Sequence, residues 1–317
     1  MDYKKPQSTL VHGGAGIYPL TTADQVILAD GSRLEKDGRI SADSAANSAK
    51  LGGKAPEYYI QPRNLLDNSD FRNPVNQRGV TNVSAIGYCI DRWIFGLSGS
   101  GALNVQDGLL AFNASNESYC EIVQIQENSS ALSGKEMTFV VCIAPDNIIC
   151  LNFTYGTNAS VLSADGNISL IHHDGDRVYI RIFSTGNNWI GVKWAALYEG
   201  TYTAETLPPY VPKGYAAELV ECQRYYYRLQ NGTNFIFRLR NQHETNNYAA
   251  FDICPCITFP VPMRIVPTVS ISYDITDGIL SVGAPFDCSR TSCTVPDVSI
   301  PHGGWFDLDS LIASADL

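Results

Sequence analysis

The sequence predicts a mainly β protein with two successive β-sandwiches and an extended N-terminal segment. Between residues 64 and 198, short apolar runs recur at intervals typical of strands, and turn residues rather than helices separate them. The alternation of Val178, Ile180 and Ile182 with polar residues has the period of a strand that buries one face. Apolar residues make up 44% of the 317 residues and charged residues 17%, which is enough apolar mass for packed cores.

Residues 1–62 differ from the rest of the chain. They contain glycine-rich turns, one of them at residues 13–16, and few large apolar side chains. One short helix is predicted at 43–51, where Asp43 would cap its start and Gly52 would end it. Because so little apolar surface does not form a stable core alone, we expect this segment to need a partner chain or a docking site.

Residues 63–212 form the first predicted sandwich. Proline cannot donate to a strand ladder and stiffens a linker, so Pro208, Pro209 and Pro212 mark the end of this region. The predicted strands, taken from apolar runs, are 93–95, 108–112, 119–125, 137–144, 148–155, 178–183 and 189–198.

Residues 213–317 form a second, smaller predicted sandwich. It begins with a helix signal at 215–226, in which Leu219, Cys222 and Tyr226 have the spacing of a single helical face. Strand patterns follow at 234–240, 248–259, 268–273 and 278–282.

Charge and hydropathy exclude several classes of partner. The chain carries 22 basic and 32 acidic residues, a net charge of −10, which argues against binding nucleic acid or anionic lipid by bulk electrostatics. No apolar run follows the N-terminus, and none approaches the ~20 residues that span a bilayer. We therefore expect that the protein neither inserts into a membrane nor binds nucleic acid. We also expect it to be synthesised in a cytoplasm.

The nine cysteines are predicted to be reduced and structurally passive. Their odd number and the missing export signal argue against a disulfide framework, and several lie inside apolar runs where a thiol packs as a small hydrophobe. The alternative is a zinc site formed by Cys254, Cys256, Cys288 and Cys293.

Motifs for enzymatic chemistry are absent from the sequence. It contains no phosphate-binding loop, zinc-protease motif or nucleophile elbow. His172 and His173 begin the run that most resembles a metal site, but adjacent strand residues point to opposite faces, so we assign no metal and no cofactor. Carboxylates for glycoside cleavage are available, but nothing singles out a pair among Asp91, Glu121, Asp174, Asp176, Asp252 and Asp274.

The four tryptophans divide into two groups. Trp93, Trp189 and Trp194 lie in apolar strands and are predicted to pack in the core. Trp305 follows two glycines near the C-terminus. An indole on such a loop could stack on a sugar face, anchor a protein contact or close the end of the last sandwich, and these alternatives remain open.

Three stretches carry a family resemblance. The first is 64–71, followed by Asn-Gln-Arg-Gly at 76–79 and Asp-Arg-Trp at 91–93; the second is Cys-Gln-Arg-Tyr-Tyr at 222–226; the third is Phe-Pro-Val-Pro-Met-Arg at 259–264 with Pro-Thr-Val at 267–269. Together they resemble tail-fibre or receptor-binding proteins from phages and prophages of Gram-positive gut bacteria. Residues 18–25 and 46–59 are similar to the N-terminal parts of these proteins, which attach to the tail or form a shaft.

The resemblance implies an architecture and a function. Residues 63–212 would be a jelly roll of carbohydrate-binding type, 213–317 a C-terminal β domain, and 1–62 the attachment to other tail or baseplate proteins. The implied assembly is a homotrimer on the virion, acting as a non-catalytic adhesin that binds a bacterial surface glycan or protein. The alternatives are a virion-associated polysaccharide-degrading enzyme and a purely structural baseplate or tail component.

We place the predicted receptor contact on two segments of the C-terminal domain. Residues 243–248 interrupt a strand pattern and include His243 and Tyr248. Residues 302–305 present His302 and Trp305 beside two glycines, which allow a ligand to approach the backbone. If the N-terminus attaches to the tail, as the resemblance implies, this domain is the end that reaches a cell. The jelly roll, which resembles sugar-binding modules, is the alternative position.

Overall fold

The computed structural model of the protein describes residues 62–316, except 107, 116–117, 128, 174, 184–188, 231–235, 241–248, 252–255, 276–280, 296–297 and 301. It also describes two short strands before them, β1 (Val26–Ile27) and β2 (Arg33–Leu34), which pair antiparallel. The predicted mainly β fold is confirmed. The helix predicted at 43–51, like most of the predicted N-terminal segment, lies outside the described residues.

The first sandwich consists of two six-stranded antiparallel sheets. Sheet I has the order β10-β9-β14-β7-β6-β3 and sheet II the order β11-β12-β13-β8-β5-β4, and the chain passes repeatedly between them, as in a jelly roll. One helical turn, α1 (Ser129–Leu132), precedes β9. The strands are β3 (Asn82–Val83), β4 (Gly87–Ile90), β5 (Trp93–Ser98), β6 (Gly101–Gln106), β7 (Leu109–Ala114), β8 (Tyr119–Ile125), β9 (Glu136–Ile143), β10 (Asn147–Thr154), β11 (Ala159–Leu162), β12 (Ile168–His172), β13 (Arg177–Phe183) and β14 (Ile190–Glu199).

The core of this sandwich lies between the two sheets. Val178, Ile180 and Ile182 on β13 are fully buried, as their period-two spacing predicts. Trp93 is also fully buried, and its indole N–H donates to the carbonyl oxygen of Asn68 at 2.9 Å, so the polar edge of the ring is satisfied. The predictions for these residues are confirmed.

The chain itself covers part of the outer face of sheet I. The rings of Trp194 and Tyr210 stack with centroids 4.2 Å apart, and Tyr202 contacts Tyr198 edge to face. Trp194 is therefore buried, but on the outer face of sheet I and not in the core, so its predicted location is wrong. Tyr202 and Tyr210 both follow β14, so the residues after the last strand of the sandwich pack back onto it.

The C-terminal sandwich is organised around one long strand. β23 pairs along one side with β19 and along the other with β15 and then β16; these four strands form the C-terminal sheet. Two smaller sheets, β17-β22-β20 and β18-β21, accompany it. The elements are α2 (Tyr215–Gln223), β15 (Tyr226–Gln230), β16 (Phe237–Arg240), β17 (Ala249–Phe251), β18 (Cys256–Thr258), β19 (Thr268–Ile275), β20 (Ser281–Val282), β21 (Ser292–Thr294), β22 (Val298–Ile300) and β23 (Trp305–Ser314).

The core of the C-terminal sandwich is built from alternate residues of β23. Phe306 and Leu308 pack with Val298 and Ile300 of β22, while Leu311 and Ala313 belong to a second buried cluster. The predicted helix ends three residues early, at Gln223. Tyr226 instead begins β15 and pairs with Ser314, because the aromatic residue completes a strand ladder there.

The prediction that all cysteines are reduced is wrong for one pair. Cys288 and Cys293 form a disulfide, because the turn at Ser289–Ser292 brings the two residues together. This pairing also removes two ligands from the alternative zinc site. Elsewhere the passive role agrees with the surroundings: burial raises the pKa of Cys89 to about 12 and that of Cys120 to about 11, which keeps both as unreactive thiols.

The two sandwiches are in contact, since residues Arg63–Glu205 and Tyr210–Leu317 form one compact unit. Asp91 lies in this contact and is buried. Its carboxylate accepts hydrogen bonds from the backbone N–H and side-chain amide of Gln77, at 2.9 and 3.2 Å, and lies 3.4 Å from Arg78. Desolvation outweighs these favourable contacts and raises the pKa of Asp91 to about 6, with Asp316 adding a further negative charge nearby.

This raised pKa predicts that the wild type and Asp91→Asn differ in their free energy of unfolding by an amount that depends on pH. The folded protein holds the Asp91 proton more tightly than the unfolded chain, so the associated stability is full below about pH 4 and is lost as the pH rises through about 6. At 1.36 kcal/mol per pKa unit, the change amounts to about 3 kcal/mol. Urea unfolding at pH 4.5 and 7.5 should record about 2 kcal/mol of this change, because Asp91 of the unfolded chain is already mostly ionised at pH 4.5. A difference between the two proteins that is constant over this range would contradict the prediction; the exposed Asp146→Asn is the control.

Candidate functional site

Strand register brings the ends of the two predicted recognition segments together. Arg240, the last residue of β16, pairs with Trp305, the first residue of β23. Ala249, the first residue of β17, pairs with Ile300, the last residue of β22. The connection from β16 to β17 and the connection from β22 to β23 therefore start and finish beside each other. His243 and Tyr248 belong to the first connection and lie outside the described residues.

A third connection starts and finishes at the same end. Ile275, which ends β19, pairs with Phe306, and Ser281, which begins β20, pairs with Ser299. We call this end of the C-terminal sandwich, marked by Trp305, the distal end. Ser314, at the other end of the 10-residue β23, pairs with Tyr226, and at ~3.3 Å per residue it lies about 30 Å along the strand.

Trp305 and His302 lie at the distal end as part of a turn and the strand that follows it. Trp305 is the first residue of β23, so the prediction that it lies on a loop is wrong, and its ring is half-buried. His302 is exposed in the turn just before it. Gly303 has φ 75°, a left-handed conformation that favours glycine and explains the glycine at this position.

A bidentate ion pair lies next to the Trp305 ring. Arg238 donates from Nε and Nη2 to the two carboxylate oxygens of Asp307, at 2.6 and 2.5 Å. The carbon of the same guanidinium is 5.1 Å from the centroid of the Trp305 ring, and the hydrogen bonds to Asp307 raise the pKa of Arg238. Asp307 is nearly buried whereas Arg238 is 41% exposed, so the cation faces solvent beside the indole.

Charged residues of the neighbouring strands lie on the same sheet face as Trp305. Arg240 pairs directly with Trp305 in the register, and Asp274 of β19 pairs with Asp307 on the other side of β23. Cross-strand partners share a face, so Arg240 and Asp274 lie on the same sheet face as the Trp305 ring. The arrangement offers an apolar stacking surface with fixed hydrogen-bond donors and acceptors next to it, which suits binding of a sugar ring or a peptide segment.

Sequence reasoning missed Arg238, Arg240 and Asp307, and it misjudged Trp189. The alternation of arginines at 238 and 240 indicates one strand face, but their partners lie more than 60 residues away in the sequence. Trp189 was predicted to be buried, and that prediction is wrong, because its side chain is 46% exposed just before β14 begins.

Among the described residues, no three His, Cys, Asp or Glu side chains are grouped so that they could hold a metal ion. His172 is buried at the end of β12, stacked on Phe153 with ring centroids 4.2 Å apart, and its Nδ1 lies 2.8 Å from the carbonyl oxygen of Thr157. His173 is exposed and meets Tyr179 edge to face. The two histidines diverge, as the strand geometry predicts. The described residues also contain no helix that is long and apolar enough to cross a membrane.

Comparison with known proteins adds no family assignment. No protein-family model matches the chain, and no curated protein or solved structure matches it either. The resemblance to tail fibres therefore rests on the quoted residues alone, and the function that it implies stays a prediction.

Proposed function

We propose that this chain is a non-catalytic adhesin, a tail-fibre or receptor-binding protein that attaches a phage virion to a bacterial surface glycan or protein. The observation that carries this proposal is the distal end, where register unites the ends of both predicted recognition segments beside Trp305 and the Arg238–Asp307 pair. Loops carried on a rigid β scaffold are a usual location for recognition. In the proposed virion, residues 1–62 attach to other tail or baseplate proteins, which leaves the distal end free to meet the cell.

The proposal includes assembly into a homotrimer. Stacking on one aromatic ring contributes only about 0.5–1.5 kcal/mol beyond area burial, which is weak for attachment. Three linked copies bind with a combined affinity well above that of one. Light scattering after size exclusion should show a species of three times the 34.6 kDa of one chain. A single species with the mass of one chain at micromolar concentration would contradict the trimer.

The functional experiment uses the full-length chain on a panel of Gram-positive gut bacteria. Bound protein is quantified by fluorescence, and reducing ends released from the same cells are measured in parallel. Binding without release is the expected result. Release of reducing ends would favour the polysaccharide-degrading enzyme, and neither binding nor release across the panel would favour a structural tail component; either outcome contradicts the adhesin.

A further inference from the structure

The stretches that carry the family resemblance meet where the two sandwiches touch. Residues 64–71, 76–79 and 91–93 belong to the first sandwich, whereas 222–226 and 259–264 belong to the C-terminal region. We call their contact the junction: the loops around Asn68, Arg78 and Arg92 on one side, and α2, Tyr225 and Tyr226 on the other. These motifs therefore contribute to the contact between the two sandwiches and lie away from the distal end.

Arg78 forms the first connection across the junction. Its guanidinium lies between two rings, 4.2 Å from the centroid of Tyr88 in the first sandwich and 3.8 Å from that of Tyr226 in β15. The same group pairs with Asp316 at the C-terminal end, at 2.7 Å. Gln77, the preceding residue, donates from its side chain to the carbonyl oxygen of Tyr226 at 2.7 Å. One arginine thus holds groups from both sandwiches.

Arg92 forms the second connection. Its guanidinium carbon is 3.5 Å from the centroid of the Tyr225 ring, and its nitrogens pair with Asp67 at 3.2 Å and donate to the carbonyl oxygen of Ile125 at 2.9 Å. Arg224, next to Tyr225, reaches back to Glu127 of the first sandwich at 3.2 Å. Tyr225 is almost completely buried among these groups.

Helix α2 and Lys213, two residues before it, supply a third connection. Glu218 accepts a hydrogen bond from the backbone N–H of Asn68 at 2.7 Å. Lys213 donates to the carbonyl oxygen of Leu66 at 2.9 Å and to the carboxylate of Asp67 at 3.0 Å. Asn68 is itself held in place, because its side-chain amide donates to the carbonyl oxygens of Val75 and Asp91. The contact on the first sandwich is therefore rigid.

These contacts constrain orientation more strongly than an apolar patch of the same area. Domains within one chain usually move relative to each other unless their interface is large and apolar. Here the contacts are ring stacks, ion pairs and charge-assisted hydrogen bonds, which are directional and can be satisfied together in one arrangement only. Small rotations would separate buried Glu218 from the backbone N–H of Asn68, and buried Arg92 from the Tyr225 ring, before water could replace these contacts.

We propose that the junction is an orientation lock, which holds the C-terminal sandwich at one angle to the jelly roll and couples the unfolding of the two. The distal end then keeps a constant direction relative to the first sandwich. This inference does not depend on what the distal end binds, so it can be tested without a receptor.

The first sandwich contains a matched control for the lock. Arg181 makes the same kinds of contact as Arg78: its guanidinium lies 4.2 Å from the centroid of the Tyr119 ring and pairs with Glu121 at 2.8 Å. All three residues lie in sheet II at the Tyr119 end of β8, opposite the Ile125 end that Arg92 contacts. Arg181→Ala therefore removes equivalent chemistry without touching the contact between the sandwiches.

The test is differential scanning calorimetry of the full-length chain. The wild type is expected to unfold both sandwiches in one transition. Arg78→Ala should split it into two transitions separated by at least about 5 °C, a difference that modest unequal stabilities of two uncoupled domains produce. Arg181→Ala should lower the transition temperature without splitting the transition.

Two transitions in the wild type would overturn the lock. So would a single transition, merely shifted, in Arg78→Ala, since that would place the coupling elsewhere. If Arg78→Ala does not fold, Asp316→Asn is the second variant. Its carboxylate is partly exposed and Arg78 keeps Asp91, so the fold should persist; the same splitting is expected, and its absence overturns the proposal.

Discussion

Trp305→Ala is expected to lower binding to bacteria at least tenfold while leaving the folded structure intact. An aromatic residue at the centre of a binding contact loses about 2 kcal/mol or more of binding free energy when it is truncated to alanine, and about 1.4 kcal/mol already corresponds to tenfold. The Trp305 ring is only half-buried, and the residue is the first of its strand. Its removal therefore leaves in place the core cluster that contains Phe306 and Leu308. Titration of labelled full-length protein against cells measures the effect, and near-ultraviolet circular dichroism verifies the fold.

Trp189→Ala is the matched control for this prediction. Trp189 is an exposed tryptophan on the first sandwich, 46% accessible, so its replacement removes a comparable apolar surface from the alternative location. Cell binding by Trp189→Ala should equal that of the wild type. The reverse pattern, in which Trp189→Ala loses binding and Trp305→Ala keeps it, would move the receptor contact to the jelly roll. Normal binding by both variants would show that neither ring is part of the receptor contact.

Arg92→Ala is expected to lower the free energy of unfolding by about 3 kcal/mol, because a buried guanidinium loses charge-assisted hydrogen bonds worth about 1.5–3 kcal/mol and a desolvated ring stack worth about 2 kcal/mol, while Asp67 keeps Lys213. The Arg92 side chain is 3% exposed, and its loss leaves Asp67 and the carbonyl oxygen of Ile125 without their guanidinium partner. It also removes the stack on Tyr225. Guanidinium chloride unfolding of the full-length protein gives the value directly.

Arg72→Ala is the control for Arg92→Ala. Arg72 also pairs with an aspartate, Asp70 at 2.6 Å, and lies 5.5 Å from the centroid of the Tyr210 ring, but its side chain is 44% exposed. Exposed pairs contribute little, so the expected loss is below about 1 kcal/mol. Equal losses in the two variants would show that burial does not determine the cost, contrary to the argument for the junction.

Local patterns in the sequence predicted the class of fold and several strand faces. The alternation at Val178, Ile180 and Ile182 indicated a half-buried strand, and burial of these residues follows from the pleat alone. The glycines before Trp305 predicted a turn near the C-terminus, where Gly303 has a positive φ. Strands such as β11 and β12 went unpredicted, because their short, partly polar sequences lack a clear period.

Pairings between distant residues required the tertiary structure. Tyr226 has helical spacing from Cys222, yet it joins β15, since the ladder with β23 satisfies its backbone and an extension of the helix would not. Cys288 and Cys293 form a disulfide only because a turn closes between them. The Arg238–Asp307 pair joins residues far apart in the sequence, and strand register alone makes them neighbours.

The sequence by itself determined which residues are apolar, where turns can form and which strand faces are buried, because these properties depend on near neighbours. The tertiary structure decided which charged side chains meet. Arg78 and Arg92 stand in the sequence only as parts of two short motifs, and it is the contact between the sandwiches that buries them against Tyr226 and Tyr225. A buried charge requires a partner, and which partner is available depends on how strands far apart in the chain are arranged in space.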